Sequence, residues 1–148
     1  MRKGGFRRFL KIISWHVLAV LAMAGLFVSS SIPGEESAYA SMVIASWVQY
    51  IIPISGEALN FIVRKTAHVA AYFVLGFCVA QAFKFYIKDL KKLLLSAWAA
   101  GTIYGILDEI HQYFVPGRVM ALLDMILNST GSFFGALAVV ILLYCLTD

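Results

Sequence analysis

The chain has 148 residues, of which 61% are hydrophobic and 14% charged, with a formal net charge of +4. Soluble domains hold roughly 45–50% apolar and about 25% charged residues, so this composition excludes an ordinary soluble fold and puts a one-domain chain in a bilayer. In a soluble chain the positive charge would suggest nucleic acid; here the cations fall in two short runs, which argues for membrane topology and anionic lipid and against a nucleic-acid partner.

The first run holds Arg2, Lys3, Arg7, Arg8 and Lys11 with no acid. Residues 12–32 then carry no Asp, Glu, Lys or Arg. That length crosses a hydrocarbon core of roughly 30 Å at about 1.5 Å per residue. A cleaved signal peptide is the rival reading, with Ala38-Tyr39-Ala40 as the small-x-small site. Its apolar middle usually has only about 7–15 residues, so a retained helix is favoured. His16 in this run is expected to be a satisfied neutral side chain.

Residues 33–40 read as a polar turn. Residues 42–54 are apolar but too few to span; Trp47 and Tyr50 favour the headgroup level, and Pro53 ends the segment. An interfacial or re-entrant helix is expected. Ser55 is a plausible N-cap for a helix running to Tyr86, with residues 66–86 as the second span and Glu57, Arg64 and Lys65 in its surface turns. Residues 84–92, with four lysines and one acid, form a basic loop. Residues 93–115 make the third span, Pro116-Gly117 a turn, and residues 121–146 the fourth span before Thr147-Asp148. Cys78 and Cys145 lie in apolar runs and read as small core residues.

The expected architecture is all-α: a bundle of four transmembrane helices and one short interfacial or re-entrant helix. Nine of the twelve cations fall in the N-terminal run and the 84–92 loop, so both termini are expected to be cytoplasmic in a multi-pass cell-membrane protein. Arg64, Lys65 and Arg118 are then on the outer side.

Residues 105–135 stand apart. They hold Asp108, Glu109 and Asp124, three of the eight acids, between segments without charge. Ionisable groups in such a setting persist when they face one another or a wet cavity. Helix neighbours lie three or four residues apart. Lys65, His68 and Tyr72 share one face, as do Asp108 and Gln112, and Asp124 and Asn128. Three polar stripes thus reach the same depth. Gly101/Gly105 and Gly131/Gly135 allow close helix approach, within the chain or between copies. Arg118 is a forked donor for a carboxylate or phosphate.

At these residues the chain resembles the VanZ-like family of small bacterial membrane proteins. The resemblance rests on Lys65-Thr66-Ala67-His68 with Tyr72 and Gly76, on Asp108-Glu109-Ile110-His111-Gln112, on Pro116-Gly117-Arg118, and on Asp124 to Gly131. The four-span layout extends it over residues 1–148 as one domain. It implies an integral membrane location and, in some members, lowered sensitivity to teicoplanin-type glycopeptides. It implies no agreed reaction.

The sequence therefore supports a site for a lipid headgroup or a phosphate-bearing, lipid-linked envelope precursor. Glu109, His68 and Asp108 would act on it; Lys65, Tyr72, Gln112, Arg118, Asp124 and Asn128 would hold it. The competing reading is a non-catalytic scaffold whose polar cluster only fixes helix order. Transport is weaker, because four spans from one chain would need an oligomer. A metal site would draw on His68, Asp108, His111 and Asp124, but His111 lies about 60° from Asp108 and about 160° from Glu109 around the helix. No metal or cofactor is expected.

Overall fold

The computed structural model describes residues 3–51 and 54–146. Five helices form among them: α1 (Lys3–Ser30), α2 (Gly34–Gln49), α3 (Gly56–Phe83), α4 (Leu90–Tyr113) and α5 (Leu122–Cys145). All except α2 are long and apolar enough to cross a membrane. The expected stop at Pro53, the Arg2 charge and the Thr147-Asp148 end lie outside the described residues.

α1 begins well before residue 12. Arg and Lys are good helix formers, and their charged ends reach back to the headgroups, so the basic run continues the helix instead of preceding it. α4 likewise begins at Leu90, inside the expected basic loop. Asp89 is its N-cap and accepts a hydrogen bond from the Lys92 backbone N–H at 2.9 Å. Ser55 caps α3 as expected, accepting from the Ala58 N–H at 3.4 Å.

The polar turn expected at residues 33–40 is helical instead. Pro33 takes the N-cap position of α2, and Glu35 and Glu36 lie in the first turn, where the helix dipole favours negative charge. Ala38-Tyr39-Ala40 is thus inside a helix. Its 16 residues rise about 24 Å, too short to span. Its start is tied down: the Gly34 N–H donates to the Pro116 carbonyl at 3.0 Å, and a Cβ on Gly34 would run into the Gly117 carbonyl. Gly117 has φ of +71°, which glycine adopts without strain.

α3 is the central helix. It packs most extensively on α5 and also touches α4, α1 and α2; among the described helices, α2 packs on α3. The buried core includes Leu75, Val79, Ala97, Ala136 and Val139. The glycines set the α3–α5 distance. Gly76 faces the backbone of Ser132, Gly131 faces the Val69 carbonyl, and Gly135 faces the Phe73 carbonyl. Gly101 and Gly105 of α4 face Ser132 and Asn128 of α5. The faces of Gly76, Gly101, Gly105, Gly131 and Gly135 therefore meet neighbours within one chain. Cys78 is buried as expected, whereas Cys145 is exposed at the end of α5. His16 bonds to the Ile12 carbonyl at 2.7 Å, so Nδ1 is the donor and its polar demand is met locally.

Candidate functional site

The three stripes meet where α3, α4 and α5 converge near the α4–α5 loop. Lys65 of α3 pairs with Asp124 of α5 at 2.5 Å, the ion pair among the described residues. One turn further along, His68 Nδ1 is 3.0 Å from Asn128 Oδ1. Because the amide oxygen only accepts, Nδ1 donates. A turn deeper, the Tyr72 hydroxyl donates to Asp108 Oδ2 at 3.0 Å, and Gln112 Nε2 donates to the same oxygen at 3.2 Å. The +3 and +4 spacings place these groups as the helical repeat requires.

Glu109 is fully buried. Its Oε2 accepts from the Ala121 N–H at 3.2 Å, at the start of α5. A carboxylate there meets the positive end of the helix dipole and one of its orphan N–H groups. Glu109 Oε1, Asp108 Oδ1 and Asn128 Nδ2 are buried without a partner. Glu109 touches neither of the two clefts beside the cluster, so it reaches a bound molecule only through a neighbour.

Arg118 does not hold a carboxylate. Its Nε donates to the Ile32 carbonyl at 3.0 Å, Nη2 to the Ser29 carbonyl at 3.2 Å, and Nη1 to Gln112 Oε1 at 3.5 Å. The last carbonyls of α1 lack helical partners, and the guanidinium satisfies them. Burial, and then the nearby Arg64 charge, lower the Arg118 pKa; Asp108, Glu109 and Asp124 oppose the shift. Five N–H donors are available on a guanidinium, so two remain.

The clefts flank the cluster. One, of about 380 Å³, includes Asn60, Arg64, Lys65, Gln112, Arg118 and Asp124 in its lining. The other, of about 320 Å³, lies between α1, α2, α3 and α4 and includes Ser30, His68, Tyr72 and Asp108. Arg64, Gln112 and Arg118 line both.

The VanZ/LLP1 family profile matches residues 15–143. The chain belongs to the VanZ family. No curated protein and no solved structure matches it. As a VanZ-family protein with four long apolar helices, it is a multi-pass membrane protein.

Sequence reasoning missed several groups around the cluster. Arg64, left as a surface residue beside Lys65, lines both clefts and has no hydrogen-bond or ion-pair partner among the described residues. Ser30 accepts from Gln112 Nε2 at 3.2 Å; the run Ser29-Ser30-Ser31 at the end of an apolar span was the available signal. Asn60 carries a buried, unpartnered Oδ1 one turn before Arg64. His111 falls away from the cluster, as its angle implied: it stacks on Phe27 at 4.5 Å and meets Ser31 Oγ at 3.1 Å.

His68, Glu109 and Asp124 each bring a ligand atom within 4.8 Å of the others, a geometry open to a divalent ion. The Lys65 ammonium, however, already neutralises Asp124. Purified protein is expected to carry no stoichiometric divalent metal by elemental analysis. One equivalent that vanishes in His68→Ala would overturn the ion-pair reading.

Proposed function

We propose that the paired clefts bind an anionic lipid headgroup or a lipid-linked, phosphate-bearing envelope precursor. The observation that carries this reading is the pair of guanidinium groups lining both clefts: Arg64 is unengaged, and Arg118 has two spare donors. Guanidinium forks suit phosphate oxygens, and a cleft at the end of a membrane bundle is where headgroups lie. His68 and Asp108 line the second cleft and are the groups able to exchange a proton with the ligand. Glu109 sits beside His68 and acts as a positioning residue. By charge asymmetry the clefts belong at the outer face, with both termini cytoplasmic.

The scaffold reading draws support from a different fact: each of the three carboxylates in the cluster already has a partner inside the chain. One experiment separates the two. A deletion strain is complemented with wild type, Arg64→Gln, Arg118→Lys and Glu109→Gln at matched membrane levels, and teicoplanin sensitivity and envelope lipid composition are recorded. Under the binding reading, Arg64→Gln fails to restore either property even though it removes no intrachain bond. Full restoration by Arg64→Gln would leave the scaffold reading in its place.

A further inference from the structure

At the end of the bundle opposite the polar site, the structure brings the two basic runs of the sequence together. Arg7, Arg8 and Lys11 of α1 and Lys84 and Lys88 of the α3–α4 connection line one cleft of about 820 Å³. Arg7 and Arg8 stand four and three residues before Lys11, so the three share one helix face. Phe85, Leu90 and Leu143 supply its apolar wall.

Among the described residues, no acid lines this cleft. Asp89, next to Lys88, is engaged as the α4 cap; the backbone N–H of Lys92 holds its carboxyl below the usual range. None of the five cations has a carboxylate partner among the described residues. Lys88 donates to the Lys84 carbonyl at 3.0 Å, and the Lys84 ammonium lies 5.6 Å from the centre of the Phe85 ring. Burial, and then the Lys11 charge, push the Lys84 pKa down from the ordinary lysine value. Five like charges around one cavity repel one another, and a polyanion would relieve that repulsion.

Ordinary topology-setting lysines need only reach the headgroup layer separately. Here cations from segments far apart in sequence converge on a cavity with an apolar side. That combination matches a charged headgroup joined to an acyl chain. Phe6, Phe9 and Leu142, next in sequence to residues of its lining, are all exposed.

We propose that this cleft binds a polyanionic phospholipid, its phosphate groups held by Arg7, Arg8, Lys11, Lys84 and Lys88 and its acyl portion lying against Phe85, Leu90 and Leu143. Two or more negative charges match the cation count better than one. The site is separate from the clefts near Arg64, and its occupancy does not depend on what those clefts bind.

The test uses the purified full chain in phosphatidylcholine nanodiscs. Cardiolipin, phosphatidylglycerol and inorganic pyrophosphate are titrated separately, with bound lipid read by native mass spectrometry and stability by thermal unfolding. Cardiolipin is expected to bind and raise Tm, phosphatidylglycerol to bind more weakly, and pyrophosphate to leave Tm unchanged. Arg8→Gln/Lys11→Gln/Lys84→Gln is expected to weaken cardiolipin binding by about 100-fold, from roughly fivefold per removed charge. Lys91→Gln/Lys92→Gln, two lysines at the same end that do not line the cleft, should bind cardiolipin as wild type does. Equal affinity in the triple variant and wild type overturns the proposal, as does a Tm rise with pyrophosphate matching that with cardiolipin. Lipid-free Tm of the triple variant checks that it is folded; repulsion among its charges is reduced, so no loss is expected.

Discussion

A valine at Gly135 is expected to separate α5 from α3 and leave the protein largely unfolded in mild detergent. A Cβ there meets the Phe73 carbonyl and lies 2.7 Å from the Phe77 amide nitrogen. Overpacking in side-chain cores costs about 1–3 kcal/mol because rotamers give way. Here the opposing atoms belong to the backbone of a continuous helix, so the cost should reach or pass the top of that range, about 3 kcal/mol or more. Gly25→Val in α1 is the control, since a Cβ there meets nothing within 4 Å. Thermal or denaturant unfolding of both variants decides the matter. Equal stability would mean that the glycine contacts do not set the α3–α5 distance. The effect carries to the site as well. His68–Asn128 and Lys65–Asp124 both bridge α3 and α5, so a small outward shift breaks both.

These glycines show what the sequence could convey. Gly131-x-x-x-Gly135 signalled close approach, and the +3 and +4 spacings put Lys65, His68 and Tyr72 on one stripe; both hold in the structure. Which helix each glycine face meets was not legible, because spacing fixes a face and not its partner. The intrachain partners of Arg118 were illegible for a related reason. The groups that claim it are backbone carbonyls of Ser29 and Ile32, and every residue has a carbonyl, so no side chain marks them. Glu109 was read as a proton-moving group; the partner the sequence did not mark is the Ala121 N–H, again a backbone group. α2 was misread at its start because Pro-Gly usually marks a turn; the acids after it were the competing helix signal. Arg64 escaped because it sits about 100° from the Lys65 stripe, and only the fold reveals the cleft on that side.

Asp124→Leu is expected to destabilise the protein strongly, and Lys65→Met/Asp124→Leu to recover most of the loss. The pair is mostly buried, with side-chain exposures of 22% for Lys65 and 12% for Asp124. Removing one partner of a buried pair costs about 3–5 kcal/mol when burial is complete, so about 2–4 kcal/mol is expected here. An apolar pair of similar volume leaves no charge stranded and is often close to neutral. A double-mutant cycle by thermal unfolding measures the coupling directly. The same double variant separates folding from function. It keeps helix order while removing one cation and one anion from the cleft that Arg64 and Arg118 share. If the pair serves a bound headgroup, the stable double variant fails to complement the deletion strain. If it complements fully, the ion pair does no more than hold α3 to α5, and any ligand must be held by the guanidinium groups alone.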